Sequence, residues 1–95
     1  MLEKEPEDSF LNYALALEYA KINKLELAIS TLATILQKDK NYLGAYYQLG
    51  KLYEQNNQKE QAIHTYKSGI AIAQQQSNSK ALAELKEALS VVVVE

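Results

Sequence analysis

Few side chains in this 95-residue chain could perform catalysis. His64 is the single histidine and cysteine is absent, so neither a transition-metal site nor a Ser-His or Cys-His nucleophile can be assembled. The three glycines are too widely spaced to form a phosphate-binding loop. Residues 39–50 begin like a calcium-binding loop, but Leu43 stands at an oxygen-ligand position and Gly50 stands where the closing glutamate is needed. We therefore predict no catalytic residue, no metal and no cofactor, and we interpret His64 as a helix surface residue.

The charged residues argue against nucleic acid as a partner. The net charge is −2, and all ten basic residues are lysines scattered among acidic neighbours. Proteins that bind nucleic acid concentrate positive charge on one face and use the arginine fork to contact guanine and phosphate. We therefore predict binding to neither nucleic acid nor an anionic membrane. The acidic first residues do not match a secretory signal, and no apolar run reaches the about 18 residues of a membrane span, which predicts a cytoplasmic protein.

The chain contains an internal repeat of 34 residues. When the sequence is shifted by that length, residues 10–36 align with residues 44–70 without a gap. Eight positions are then identical, and self-similarity at this period is typical of stacked helical repeats. The identical pairs are Tyr13/Tyr47, Leu15/Leu49, Tyr19/Tyr53, Asn23/Asn57, Glu26/Glu60, Ala28/Ala62, Ile29/Ile63 and Thr31/Thr65.

Each repeat is predicted to be a pair of helices. Large apolar residues recur at steps of three and four on both sides of a polar break, which is the pattern of one helix face. Asn23 and Asn57 lie at equivalent places in the two breaks, and asparagine tolerates the left-handed conformation that ends many helices, so both are predicted helix stops. A fifth amphipathic helix is predicted after residues 77–79. Favourable negative charge at the start of the first helix is predicted from Glu3, Glu5, Glu7 and Asp8.

The second repeat resembles the tetratricopeptide repeat (TPR), a helix-turn-helix unit of the same period. It matches the family pattern of large and small residues at Tyr46, Leu49, Gly50, Tyr53, Ala62 and Tyr66. The resemblance implies that Gly50 and Ala62 let the two helices of a repeat approach closely. It also implies that Tyr53 and Tyr66 fill the space between repeats.

The resemblance further implies an all-α fold of about five helices. Repeat one (9–42) and repeat two (43–76) are expected to stack as a short right-handed solenoid. A capping helix (79–94) is expected to close the stack, so that residues 1–95 form a single TPR domain.

TPR proteins generally bind peptides or partner proteins in the concave groove formed by the first helix of each repeat, so the resemblance implies a non-enzymatic protein-protein interaction module. Stacking of Tyr13 on Tyr47 would offer flat apolar area with hydroxyl groups to an extended or helical segment. The alternative is that these tyrosines only pack together and that Leu82 and Leu85 belong to the core. The groove positions carried over are Phe10, Tyr13, Leu17, Tyr47, Gln48, Lys51 and Glu54, with Asn78, Leu82 and Leu85 from the closing helix.

One well-known TPR function is not implied. Some TPR domains hold the C-terminal carboxylate of heat-shock chaperones in a clamp of lysine, arginine and asparagine. None of the corresponding residues in this chain carries the positive charge that a carboxylate requires, so this partner is not predicted. The clamp positions are occupied by Tyr13, Leu17, Gln48, Asn78 and Leu82.

Val91 to Val94 are four consecutive β-branched residues, which lower helix propensity by about 0.5 kcal/mol each relative to alanine. One interpretation is a frayed last turn that covers the final helix interface. The other is a self-association patch of Val91, Val93 and Val94, since exposed strand-prone residues pair readily. A two-repeat array buries few faces, so a homodimer would stabilise it. The alternative function is therefore structural homo-oligomerisation through the C-terminal helix and this valine run.

Overall fold

A computed structural model of the chain describes residues 8–94, which form five α-helices and no β-strand. Each helix is joined to the next by a turn of three or four residues, so consecutive helices pack as neighbours. The predicted all-α fold with five helices is confirmed. The helices are α1 (Ser9–Lys21), α2 (Leu25–Lys38), α3 (Leu43–Gln55), α4 (Lys59–Gln75) and α5 (Ser79–Val94).

Asp8 caps the N-terminus of α1. Its carboxylate accepts hydrogen bonds from the backbone N–H groups of Phe10 at 3.0 Å and Leu11 at 3.2 Å, two donors that have no partner within the helix. The negative charge predicted at this helix end is therefore found at Asp8. The other acidic residues of that prediction, Glu3, Glu5 and Glu7, lie outside the described residues.

Three of the four turns between helices share one backbone geometry. Asn23, Asn57 and Ser77 adopt left-handed φ angles of 65°, 61° and 55°. In each turn, the N–H of this residue bonds to the carbonyl three residues earlier, and the next N–H bonds to the carbonyl five residues before it. This pair of hydrogen bonds is the Schellman motif, which satisfies carbonyls at a helix end. The predicted stops at Asn23 and Asn57 are confirmed, whereas the sequence does not signal Ser77, because serine is not enriched in this conformation.

Glycine at position 77 is expected to stabilise the protein by about 0.5 kcal/mol. The Ser77→Gly change removes about 1 kcal/mol of steric cost at a left-handed residue and adds a smaller loss of backbone entropy on folding. Thermal unfolding followed by circular dichroism should show a higher midpoint. Gln75→Gly is the control, because it places glycine in the last right-handed turn of α4, where it should lower the unfolding free energy by about 1 kcal/mol. A midpoint that falls in both variants would contradict the prediction.

Small residues set how closely α3 and α4 approach. A Cβ built at Gly50 of α3 would overlap the ring of Tyr66 of α4, lying 2.6 Å from its Cζ atom. A Cβ built at Gly69 of α4 would lie 2.7 Å from the Cβ of Tyr46 on α3. The close approach predicted at Gly50 is therefore observed. The prediction for Tyr66 needs correction, because this residue is fully buried inside the second repeat and beneath α5; Tyr53 packs against the cores of both repeats.

The fifth helix does not follow the 34-residue period. α4 has 17 residues whereas α2 has 14, and the turn after α4 is one residue shorter, so α5 begins 36 residues after α3. The core-facing residues follow this longer spacing, with Ala45, Leu49 and Leu52 of α3 corresponding to Ala81, Leu85 and Ala88 of α5. Residues of α5 assigned at a spacing of 34 are consequently placed on the wrong face of the helix.

The valine run is helical, because α5 continues through Val94. The interpretation of this segment as a frayed turn is therefore wrong. Val92 is only 1% exposed, and its burial against the core offsets the low helix propensity of β-branched residues. Val91, Val93 and Val94 are 48%, 52% and 83% exposed. Since successive helix residues are about 100° apart, these three valines point in different directions and do not form one continuous patch.

Candidate functional site

The helices α1 and α3 carry the residues expected to form a groove. Both are 13 residues long and they begin 34 residues apart, so Tyr13 and Tyr47 occupy equivalent positions, as do Leu17 and Lys51. On α1, Phe10 is 68% exposed, while Tyr13 and Leu17 are half-buried. On α3, Lys51 is exposed and Tyr47 is half-buried. This surface is therefore apolar along α1 and becomes charged along α3.

Tyr13 and Tyr47 do not stack on each other. The ring of Tyr13 packs against Tyr42, with centroids 5.3 Å apart and planes inclined by 42°. Gly44 leaves space for it, since a Cβ there would lie only 3.4 Å from the Tyr13 hydroxyl oxygen. Tyr47 packs against Tyr66, with centroids 6.4 Å apart. The predicted stack is wrong because each ring finds a partner in the adjacent turn or helix.

A depression of about 210 Å³ lies between α3 and α5. Lys51 places its Nζ atom 5.7 Å from the centroid of the Tyr47 ring, a distance at which an aromatic face attracts an ammonium group. Three carboxylates and one ammonium group line the depression, so its charge is negative. The lining residues are Tyr47, Lys51, Glu54, Glu84, Glu87, Ala88 and Val91.

Glu54 is the carboxylate that the core holds in place. Its Oε2 atom accepts a hydrogen bond of 2.6 Å from the hydroxyl group of Tyr66, whose ring is fully buried. A hydroxyl group bonded to an ionised carboxylate at this distance is among the stronger hydrogen bonds of proteins. Glu84 and Glu87 extend from α5 and are exposed to solvent. The depression therefore combines one positioned carboxylate with two exposed ones.

Only part of the groove predicted from the sequence lines this depression. Tyr47, Lys51, Glu54 and Val91 do so. The predicted residues Phe10, Tyr13, Leu17 and Gln48 do not. Sequence reasoning missed Glu84 and Glu87, although the spacing of 36 residues between α3 and α5 aligns them with Gln48 and Lys51.

The closing helix does not contribute its predicted groove residues. Leu85 is 1% exposed and belongs to the core, and Leu82 packs against the same core cluster. Asn78 caps α5, since its Oδ1 atom accepts a hydrogen bond of 3.0 Å from the N–H group of Ala81. The groove assignment of Asn78, Leu82 and Leu85 is therefore wrong, because it uses a spacing that is two residues out of register for α5.

Two phenols near the turn between α2 and α3 have perturbed acidity. Burial raises the pKa of Tyr46, and the charge of Asp39 raises it further. Its hydroxyl group donates a 2.7 Å hydrogen bond to the carbonyl oxygen of Lys40. Burial also raises the pKa of Tyr42, with additional contributions from Tyr13 and nearby carboxylates. Both phenols therefore stay protonated at neutral pH and act in packing and hydrogen bonding.

Residues 8–94 contain neither a cluster of metal ligands nor a helix suited to a membrane. Histidine, aspartate and glutamate side chains form no group of three or more in this range that could hold a metal ion. None of the five helices combines the length and hydropathy that crossing a bilayer requires. His64 is exposed on α4, as predicted from the sequence.

Comparison with known proteins identifies relatives of this fold. A family model described as tetratricopeptide repeat matches residues 23–89. A tetratricopeptide repeat domain protein from Salinibacter ruber, solved by NMR, is 39% identical over 92% of this chain and 88% of that chain, with a TM-score of 0.87. A crystal structure of such a protein from the same organism is 38% identical over 90% of this chain and 96% of that chain, with a TM-score of 0.84.

A third solved structure is more distant in sequence. A protein from Bordetella parapertussis is 26% identical over 98% of this chain and 81% of that chain, with a TM-score of 0.82. No curated protein matches the chain. The match to the family model and the two structures from Salinibacter ruber therefore carry the assignment of the chain to a family.

Proposed function

The chain belongs to the tetratricopeptide repeat family, and on this premise we propose that it is a non-enzymatic module that binds a peptide or partner protein along α1, α3 and α5. Members of this family are generally protein-interaction modules, and stacked repeats present the first helices on one extended surface. The depression between α3 and α5 is the observation that carries the proposal, because it offers an aromatic ring and a defined charge beside an apolar stretch.

The chemistry of this surface favours a partner segment with an apolar part and a basic part. Phe10, Tyr13 and Leu17 on α1 offer partly exposed apolar area to aliphatic or aromatic side chains. At the other end, the depression holds Glu54, Glu84 and Glu87, whose carboxylates attract a lysine or arginine side chain. The face of Tyr47 already attracts the ammonium group of Lys51, and a cation of the partner would meet the same ring.

Selection of a displayed random peptide library on the full chain tests this proposal. Peptides that combine apolar residues with lysine or arginine are expected to be enriched, and a synthetic copy of the best one can be titrated by fluorescence anisotropy. Glu84→Gln combined with Glu87→Gln should weaken its binding about tenfold, because each exposed charge contributes about 0.5–1 kcal/mol. The binding should also lose part of its salt dependence, since two charged partners are removed.

Glu26→Gln is the matched control, because Glu26 is an exposed carboxylate in the first turn of α2. It should leave the affinity unchanged. Tyr47→Ala should weaken binding as well, since it removes the aromatic wall of the depression. Enrichment of acidic peptides, or equal weakening by Glu26→Gln and the double variant, would count against the proposed groove.

Homo-oligomerisation through the C-terminal helix is the second candidate function. The observation in its favour is that Val93 and Val94 are 52% and 83% exposed at the end of an ordered helix. Truncation before the valine run is a poor test, because it would remove the buried Val92 from the core. Val93→Glu combined with Val94→Glu leaves Val92 in place, and loss of an oligomer in this variant would support the second candidate.

A further inference from the structure

The first repeat presents an uncovered apolar face at its outer end. Leu11, Leu15 and Ile22 fall on one stripe of α1 and are 50%, 43% and 60% exposed. Leu27, at the start of α2, is 46% exposed. We call these four residues the N-terminal face. Together they present on the order of 300 Å² of apolar surface, which is comparable to the largest apolar patch of a typical monomeric protein.

The second repeat shows what this face is built to do. Leu11 and Leu15 correspond, at 34 residues, to Ala45 and Leu49, which are 0% and 4% exposed. Those two residues of α3 pack in one core cluster with residues of α1 and α2. In the second repeat this face is therefore a stacking surface, whereas in the first repeat the same positions meet solvent in the described structure.

The polar groups beside the N-terminal face already have partners. The hydroxyl groups of Ser30 and Thr31 donate to the carbonyl oxygen of Leu27, and that of Thr34 donates to the carbonyl oxygen of Ser30. Burial of these hydroxyl groups would therefore leave no donor unsatisfied. The side chains of Glu18 and Lys21, which border the stripe on α1, form an ion pair with an N···O distance of 3.6 Å.

We propose that the N-terminal face binds the same face of a second copy of this chain, forming a twofold-symmetric dimer. A stable dimer buries about 800 Å² on each partner, of which about 65% is apolar, and the four residues supply a large part of that apolar area. Because Glu18 and Lys21 neutralise each other, two copies meet without repulsion between like charges. A twofold interface of this kind also closes, so the assembly stops at two copies. This inference is independent of the proposed groove, which lies on other positions of α1 and on α3 and α5.

Sedimentation velocity of the full chain over a concentration series is the test. The fraction of dimer is expected to rise between about 1 µM and 500 µM, the range in which small interfaces of this kind associate. Leu11→Glu combined with Leu15→Glu should raise the dissociation constant at least about tenfold, because it places two charges on each side of an apolar contact. Circular dichroism should show an unchanged helix content, since both leucines are half-exposed.

Val93→Glu combined with Val94→Glu is the matched control at the opposite end of the molecule, and it should leave the dimer intact. A monomer at every concentration would overturn the inference. A dimer that survives the leucine substitutions would do so as well. Loss of the dimer in the valine variant would assign the interface to α5 and would equally overturn it, while peptide binding in the groove remains a separate measurement.

Discussion

Gly50→Ala is expected to lower the free energy of unfolding by about 3 kcal/mol, although alanine has the higher helix propensity by about 1 kcal/mol. The added Cβ would overlap the ring of Tyr66, which is fully buried. That ring cannot turn aside easily, because its hydroxyl group is bonded to Glu54 at 2.6 Å. The new methyl group must therefore push α3 away from α4, and this loosens the contacts of both helices.

Urea and thermal unfolding followed by circular dichroism measure this effect. The midpoint temperature should fall by about 15 °C, since 1 kcal/mol corresponds to about 4–8 °C in a domain of this size. Gly44→Ala is the matched control in the same helix, because a Cβ there lies in exposed space, 3.4 Å from the Tyr13 hydroxyl oxygen. It should be neutral or slightly stabilising. Equal stability changes in the two variants would show that helix propensity, and not the contact with Tyr66, governs position 50.

Tyr66→Ala is expected to lower the free energy of unfolding by about 4 kcal/mol, because it truncates the largest of the fully buried side chains. Removal of the Tyr66 ring would leave a cavity next to Gly50 that neighbouring side chains cannot fill. The substitution also removes the hydrogen-bond donor of Glu54. Because domains of this size are stable by about 5–15 kcal/mol, the variant should be close to unfolding at 37 °C.

Tyr66→Phe separates the ring from its hydroxyl group. It should cost only about 1 kcal/mol, since it keeps the packing and removes one hydrogen bond. Gly50→Ala and Tyr66→Leu can then be combined in a double-mutant cycle. The two changes should cost less together than the sum of their separate effects, because the smaller leucine leaves space for the new methyl group. Strict additivity would mean that the two positions are not coupled, contrary to the close approach of Gly50 and the Tyr66 ring.

Nearest-neighbour signals account for what could be predicted about the fold. The apolar residues recur at helical steps, and Asn23 and Asn57 end helices through the left-handed backbone that both adopt. Gly50 lies where the family pattern places a small residue, and the structure shows the ring that requires it. These features depend on residues a few positions apart, or on a repeat that compares the chain with itself. They are therefore visible without knowing how the helices pack.

The groove was predicted less completely, because its closing wall depends on α5. Three extra residues in α4 and one fewer in the following turn shift α5 by two residues from the repeat period. That shift buries Leu85 and brings Glu84 and Glu87 to the depression. Similarly, Tyr13 turns to Tyr42 and away from Tyr47 because of the space beside Gly44. A pattern of residue types contains neither the length of a helix in its packed state nor the rotamer that a ring adopts.

By itself, then, the sequence determined the repeat, the helices, two of the three left-handed helix stops and the small residue between α3 and α4. The tertiary structure alone decided the register of α5, the ring partners of the tyrosines, the acidic lining of the depression and the directions of the valines. The physical reason is the range of the interactions. Helices and turns follow from residues close in sequence, whereas the site is formed where side chains from distant helices compete for the same space.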